Sequence, residues 1–203
     1  MTVPGRVVIL NGTSSSGKST LAARFREERA EGGQFWLIGG IDEYNEKLPD
    51  QWFRGGGYDG PHSDDGVRFE PTAAGLVVTV GDAGRRLYAA YRRSIAAWAW
   101  QGFDVMVDDV AFDAAAVEDW AEALAGLYVS WVAIRCEPDV AEARERARAD
   151  RMVGLARGLG DVVHAHARYD FEIDTSRLDI AGGVGQLSAF IDSTPSGSSA
   201  EVA

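Results

Sequence analysis

The stretch Gly12–Ser19 constrains this chain more than any other, because its letters GTSSSGKS fit a glycine, four free positions, a second glycine, lysine and serine. An apolar run at residues 6–11 precedes it and a helix-forming run at residues 20–25 follows, so the pattern lies between a predicted strand and a predicted helix. Gly12 and Gly17 allow backbone angles closed to other residues, so that successive N–H groups can turn toward phosphate oxygens. The following helix adds the positive end of its dipole. The stretch therefore predicts a site for a nucleoside triphosphate.

Two side chains of this loop have defined chemical tasks. Lys18 can reach the β- and γ-phosphates, and the hydroxyl of Ser19 can serve as a ligand of Mg²⁺. A glycine-rich turn that binds nothing could match the same letters, but the flanking strand and helix favour the nucleotide site. The predicted nucleotide contacts are Gly12, Thr13, Ser14, Ser15, Ser16, Gly17, Lys18, Ser19 and Thr20.

The size of the chain predicts one core. It has 203 residues with 46% hydrophobic content, enough for a single substantial domain. Predicted helices and strands alternate along it, which indicates the α/β class. We expect this domain to cover residues 1–192, and the Ser/Pro/Gly-rich residues 193–203 to form a disordered tail.

The net charge of −11, from 31 acidic and 20 basic residues, argues against nucleic acid or an anionic membrane as the main partner. Cys136 is the single cysteine, which excludes an internal disulfide and a cysteine metal site. No apolar run reaches the length of a membrane span, and the first predicted strand begins too early for a signal peptide. These features predict a soluble cytoplasmic protein; they indicate no oligomeric state.

Asp42 follows the second predicted strand, at residues 34–38. An acid at the carboxyl end of a strand in an open α/β sheet faces the crevice where ligands bind, so Asp42 could meet a substrate hydroxyl. Asp is also a favoured helix cap, and residues 43–48 look helical. The local sequence leaves both interpretations open.

Residues 50–75 are the least regular part of the chain, and with residues 76–81 they form one segment between the second predicted strand and the next clear helix. Glycine-rich turns alternate with the aromatic residues Trp52, Phe53, Tyr58 and Phe69. Loops of this length in compact domains are usually functional or disordered. The aromatic residues favour an ordered flap on the acceptor side, although they could equally just pin the loop to the core. Its last part could be a strand or the start of the next helix.

Asp108 and Asp109 end a near-continuous apolar run that begins at Phe103. Parallel strands that are buried on both faces have this composition. In a chain that also has the phosphate loop, an acid here is expected to hold Mg²⁺ directly or through water. The sequence does not distinguish which of the two faces the metal.

The cationic residues of the chain are concentrated where Arg144, Arg148 and Arg151 recur at spacings of four and three, the positions of one helical face. Mixed-charge runs are commonly solvated helices with internal ion pairs. Because the rest of the chain is so acidic, we favour a lid over residues 144–160 that clamps phosphates with arginine.

These features resemble the small-molecule and nucleotide kinases of the P-loop class, and more closely the chloramphenicol phosphotransferase family. The likeness extends over nearly the whole chain except the tail. The sequence blocks that carry it are Ile9–Gly12, Gly40–Asp42, Val107–Val110, Trp131–Cys136, Ala147–Arg151, Val162–His164 and Tyr169–Thr175.

The resemblance implies a three-layer fold with a five-stranded parallel sheet in the order 2-3-1-4-5, helices on both faces and an arginine-bearing lid. It also implies ATP and Mg²⁺ as cofactors, and phosphoryl transfer to a primary hydroxyl of chloramphenicol. Asp42 matches the acid that orients or deprotonates this hydroxyl, and Arg148 and Arg151 match the lid arginines; with Lys18 they form the expected catalytic set. The chain departs from the family at residues 50–81, where we expect the acceptor to lie.

Three functions fit these observations. The first is an ATP-dependent O-phosphotransferase that acts on chloramphenicol or a similarly neutral hydroxylated antibiotic. The second is a kinase of a nucleotide or anionic metabolite, which would need cations near the acceptor; between residues 34 and 81 the basic residues are Lys47, Arg54 and Arg68. The third is a non-catalytic nucleotide switch, which needs no base at Asp42. We rank them in this order.

Overall fold

Strands and helices alternate in the computed structural model, which describes residues 2–54, 60–148, 152–160 and 162–194. The strands are β1 (Arg6–Asn11), β2 (Trp36–Gly40), β3 (Phe53–Arg54), β4 (Val67–Thr72), β5 (Gly75–Val80), β6 (Asp104–Asp109), β7 (Tyr128–Arg135) and β8 (Phe171–Asp174). The helices are α1 (Lys18–Glu31), α2 (Ile41–Asn45), α3 (Asp82–Trp100), α4 (Ala114–Ala123), α5 (Pro138–Arg146), α6 (Leu155–Gly160) and α7 (Ile180–Ser193), with a 3₁₀ turn at Asp50–Trp52.

Five parallel strands form the central sheet in the order β2-β6-β1-β7-β8. Strand β1 lies in the middle, where Val8 pairs with Met106 on one side and Ser130 on the other. The predicted fold class is confirmed. Numbered among themselves, the five strands stand in the order 2-3-1-4-5; along the whole chain the numbers differ because three further strands are inserted between β2 and β6.

The two faces of this sheet carry separate apolar clusters, because successive strand residues point to opposite sides. Val7 and Ile9 face α3 and α4, where Tyr91 and Trp120 are fully buried. Val8 and Leu10 face α1 and α7 in a cluster that includes Phe25 and Ile134. Helices therefore cover both faces, and the carboxyl ends of the strands are left to form a crevice.

The inserted strands form a second sheet, β3-β4-β5, that sequence patterns predict only in part. Residues 76–80, which could have begun a helix, belong to β5, which pairs antiparallel with β4. Phe53 and Phe69 pack edge to face, with ring centroids 5.6 Å apart. The glycine run and Tyr58 of the predicted flap lie outside the described residues.

The β4–β5 hairpin of the second sheet packs against α6 through direct contacts between backbone atoms. The N–H of Leu76 donates to the carbonyl of Gly154 at 2.9 Å. A Cβ at Gly75 would lie 2.6 Å from the carbonyl oxygen of Gly154, and one at Gly158 would lie 1.9 Å from that of Leu76. Glycine is required on both sides of this contact.

No helix in the part of the chain that the structure describes is both long and apolar enough to cross a membrane. The predicted disordered tail begins at the end of α7, and its residues 195–203 lie outside the described residues.

Candidate active site

The phosphate loop connects β1 to α1 with a backbone that glycine permits. Gly17 has φ 98° and Ser15 has φ 60°, both in the left-handed region, and α1 begins immediately afterwards at Lys18. Gly12 lies under the carbonyl of Ile134, which a Cβ would approach to 2.5 Å. The loop is therefore tightly curved and lies at the amino end of a fourteen-residue helix.

Lys18 is only 6% exposed, and its side chain folds back across the loop. Its Nζ donates to the carbonyl oxygens of Gly12 and Thr13, both at 2.9 Å. The hydroxyls of Ser14, Ser15 and Ser16 are buried and have no hydrogen-bond partner among the described residues. Buried polar atoms without partners are uncommon, and here they belong to a loop that leads into a helix amino terminus, an arrangement that suits a phosphate group.

The paired acids at the end of β6 have opposite surroundings. Asp108 accepts a hydrogen bond from the hydroxyl of Ser19 at 2.5 Å and lies 3.7 Å from Nζ of Lys18. Asp109 points into the core, where its carboxylate accepts from the indole N–H of Trp120. Complete burial raises the pKa of Asp109, while the nearby guanidinium of Arg92 opposes the rise. Of the two, only Asp108 faces the phosphate loop.

Arg144, on α5, lines the cavity and also helps to hold the phosphate loop in place. Its guanidinium donates to the carbonyl of Thr175 at 2.8 Å and to the hydroxyl of Thr175 at 3.1 Å. That hydroxyl donates to the carbonyl of Ser16 at 2.6 Å. The three residues connect the loop to α5 and to the turn after β8, a role that the sequence pattern does not reveal.

The predicted lid is anchored by Glu145, which is fully buried. Its carboxylate accepts from the backbone N–H groups of Gly154 at 2.7 Å and Ala156 at 2.9 Å. The carbonyl of Ala156 in turn accepts from the Thr13 hydroxyl at 3.0 Å, so α6 is tied to both α5 and the phosphate loop. Arg148 is exposed and borders the cavity; Arg151 lies outside the described residues.

One cavity of about 750 Å³ joins the phosphate loop to the second sheet. Six of the nine predicted nucleotide contacts border the cavity, and the other three, Gly12, Thr13 and Ser16, do not line it. The cations that line it in the described residues are Lys18, Arg144 and Arg148. The residues that line its far end, toward α2 and the second sheet, are Ile41, Asp42, Asn45, Glu46, Phe53, Phe69, Val78, Tyr88, Val110, Phe112, Met152, Leu155 and Leu159.

Asp42 lies in the first turn of α2, directly after β2, and borders the cavity. The N-cap of this helix is Gly40, which has no side chain to make a cap hydrogen bond. Asp42 is therefore not the cap that the local sequence also allowed. The structure brings it to the same crevice as Lys18 and Asp108.

A buried pair at the far end of the cavity is not apparent in the sequence. The hydroxyl of Tyr88, on α3, donates to Oδ1 of Asn45 at 2.7 Å. Burial raises the pKa of Tyr88 above its usual value, and the charges of Asp109 and Asp42 raise it further, so the hydroxyl keeps its proton. Because 43 positions separate the two residues, no local pattern could indicate the contact.

The chain is similar in sequence to a known protein family. The family model described as "chloramphenicol phosphotransferase-like protein" covers residues 5–184. The chain belongs to this family. A Mycobacterium tuberculosis protein provisionally named an O-phosphotransferase is 31% identical to it over 183 residues, which are 87% of this chain and 77% of the relative. Family and fold together identify a phosphotransferase of the kinase type.

Solved structures with the same fold are P-loop kinases and a resistance protein. The Mycobacterium tuberculosis APS kinase in complex with AMPPNP and APS has a TM-score of 0.66 at 16% identity, covering 94% of this chain and 99% of that one. A sugar kinase from Janibacter has a TM-score of 0.65 at 16% identity, covering 95% and 97%. The tunicamycin resistance protein of Deinococcus radiodurans has 0.59 at 15%, covering 94% and 97%. At these identities the likeness establishes the fold alone.

Proposed function

We propose that this protein is an ATP-dependent O-phosphotransferase that transfers the γ-phosphoryl group to a hydroxyl of a neutral small molecule, with chloramphenicol as the first acceptor to test. The observation that carries the proposal is a cavity lined by the phosphate loop, Asp42 and an apolar wall together. Such a reaction would serve antibiotic resistance or self-protection, because a phosphate group alters the shape and charge of the drug.

The phosphate end supplies charge and hydrogen bonds. Lys18 can turn from its loop carbonyls toward the β- and γ-phosphates, and the partnerless serine hydroxyls can donate to phosphate oxygens. Ser19 and Asp108 are the residues that fit Mg²⁺, which when bound neutralises part of the phosphate charge. We assign Asp109 a structural role, since its carboxylate faces Trp120.

Asp42 supplies the position of the acceptor. Its carboxylate can accept a hydrogen bond from the acceptor hydroxyl and hold that oxygen in line with the transferred group. Arg148, with Arg151 as predicted from the sequence, stabilises the charge that redistributes over the phosphoryl oxygens. The protein contributes positioning and electrostatics, which is what phosphoryl transfer chiefly requires.

The acceptor end favours a neutral molecule over an anionic one. Its described lining consists of aromatic and aliphatic side chains, Asn45, and the carboxylates of Asp42 and Glu46. A phosphorylated or carboxylated acceptor would meet these acids, and the repulsion between like charges costs free energy. This observation ranks the nucleotide or anionic-metabolite kinase second.

The test is a screen of hydroxylated antibiotics, chloramphenicol first, with ATP and Mg²⁺, in which mass spectrometry detects the addition of phosphate. Nucleoside monophosphates and sugar acids form the comparison arm. We expect product with one or more neutral alcohols and little with the anions. Turnover confined to the anionic arm, or ATP binding without transfer to any acceptor, would contradict the proposal.

A further inference from the structure

The acceptor end of the cavity contains one buried polar group that the proposed reaction leaves unused. Asn45 is the last residue of α2 and follows Asp42 by three positions, so the two side chains share one face of the helix. Asn45 is only 7% exposed, yet it borders the cavity. The small exposed part of this side chain is therefore available to a bound acceptor.

Tyr88 determines which end of the Asn45 carboxamide faces the acceptor substrate. Its hydroxyl is a donor to Oδ1 of Asn45, and Tyr88 itself is only 5% exposed, so packing holds the pair in place. The Nδ2 group of Asn45 has no hydrogen-bond acceptor among the described residues. When the oxygen of a carboxamide already accepts a hydrogen bond and its NH₂ group donates none, the NH₂ group is available as a donor to a bound molecule.

The surroundings make this donor selective. Phe53 and Phe69 of the second sheet and Val78 line the same end of the cavity and offer Nδ2 no acceptor, and the carboxylates of Asp42 and Glu46 line it as well. A site built to donate a hydrogen bond rejects an analogue that cannot accept it, because the polar group is then left unpaired.

We propose that Asn45, positioned by Tyr88, determines acceptor specificity by donating a hydrogen bond from Nδ2 to an oxygen of the substrate. Three residues of α-helix rise about 4.5 Å, which sets the scale of the separation between this oxygen and the hydroxyl held by Asp42. The substrate class is thus a neutral alcohol with a carbonyl, ether or second hydroxyl oxygen roughly 5 Å from the phosphorylated group. This inference rests on the proposed function and refines its acceptor.

The experiment compares two alcohols that differ only in a carbonyl replaced by a methylene, chosen from the acceptors that the wild-type protein phosphorylates. We expect the wild type to prefer the carbonyl compound about tenfold or more in kcat/KM, the scale of one well-made hydrogen bond. Asn45→Asp keeps the oxygen that Tyr88 binds but removes the donor, so the preference should fall to about one while ATP affinity is unchanged.

Tyr88→Phe is the second variant, since it keeps the ring and removes only the orienting hydroxyl. It should reduce the preference severalfold and remains informative if Asn45→Asp fails to fold. A merely structural role of the pair would lower kcat/KM for both alcohols equally, together with the melting temperature, and would overturn the inference.

Two further outcomes separate the inference from the proposed function. If Asn45→Asp keeps the wild-type preference, or gains one for amine-bearing acceptors, the inference is wrong while the phosphotransferase stands. If the wild-type protein binds ATP but phosphorylates no alcohol in the panel, the proposed function fails, and this inference fails with it.

Discussion

Adjacent residues at the end of β6 differ completely in environment, although in sequence they are the same amino acid. Strand geometry sends neighbouring side chains to opposite faces, so Asp108 meets Ser19 and Lys18 while Asp109 meets Trp120. The effect of replacing Asp108 or Asp109 must therefore be predicted from the contacts of that residue.

Asp108→Asn should lower turnover by about a hundredfold or more, because it removes negative charge at the position we assign to Mg²⁺. It should also raise the Mg²⁺ concentration needed for half-maximal rate. Asp109→Asn is the matched control: the amide oxygen can still accept from Trp120, so we expect a much smaller change in turnover. Steady-state rates over a Mg²⁺ titration measure both. Equal losses in the two variants would contradict the assignment.

Asp42→Asn should cut turnover by about a hundredfold or more, the usual scale for a positioned general base, with ATP affinity nearly unchanged. The melting temperature should also stay the same, since Gly40 occupies the N-cap of α2. Glu43→Gln, on the same turn but absent from the cavity lining, should behave as wild type. Rates, ATP calorimetry and thermal unfolding provide the three readouts; a joint loss of ATP binding and stability in Asp42→Asn would assign it a structural role.

Arg148→Ala should lower kcat by about tenfold to a hundredfold and alter acceptor KM little, because arginine contacts with the phosphoryl group strengthen in the transition state. Arg146→Ala is the control, since Arg146 is exposed and pairs with Glu142 on α5. Separate kcat and KM values for both variants measure the difference. Wild-type kinetics in Arg148→Ala would mean that this residue belongs only to a solvated surface.

Among the secondary-structure elements, α6 contacts three parts of the site. It is held by Glu145 of α5 and by Thr13 of the phosphate loop, and it supports the second sheet through the glycine contact with Leu76. The same short helix therefore joins the lid, the loop and the acceptor wall.

Gly158→Ala should separate the hairpin from α6, because the new Cβ would overlap the backbone carbonyl of Leu76, which cannot rotate away. We expect the free energy of unfolding to fall by about 1–3 kcal/mol and acceptor KM to rise. Gly160→Ala, on the same helix, places its Cβ in open space and should be neutral or slightly stabilising. Chemical denaturation and acceptor kinetics compare the two; equal behaviour would contradict the close packing.

At the scale of the whole molecule, a hydrogen-bond network around Asn11, at the end of β1, joins segments that are distant in sequence. Asn11 donates to the carbonyl of Val163 and to the hydroxyl of Tyr169, both at 2.8 Å, and accepts from the N–H of Ala111. Nδ1 of His164 lies 2.8 Å from the same tyrosine hydroxyl. The network connects β1 to segments 100 to 158 positions away in sequence.

Burial lowers the pKa of His164 from 6.5 to about 4, and the positive charges of Arg135 and Lys18 contribute to this, while Glu172 opposes it. Between pH 6.5 and 4 the unfolded chain binds a proton here that the folded protein does not, so stability falls as the pH falls through this window. His164→Gln should therefore lose less stability over the same range. Melting temperatures of the wild type and of His164→Gln from pH 7 to pH 4 measure this difference in stability. The carboxylates titrate in both proteins, so their contribution cancels in the comparison. Parallel curves for the two proteins would contradict this role of His164.

Features encoded by short, contiguous patterns could be predicted without the structure. The phosphate loop needs glycines at fixed spacing, and the buried parallel strands are continuous apolar runs, so the α/β class and the position of Asp42 after β2 followed from residues read in order. Local sequence reveals these because backbone conformation and strand burial are set within a few residues. The five-stranded sheet was implied by the resemblance to the chloramphenicol phosphotransferase family.

Other features depend on pairs that are distant in sequence, and only packing determined them. The choice between Asp108 and Asp109 required the position of Trp120, and the Asn45–Tyr88 pair required α2 to lie against α3. The second sheet needed the docking of its hairpin on α6. In each case the local sequence allowed more than one structure, and the burial of polar groups, which must find partners, selected the one that formed.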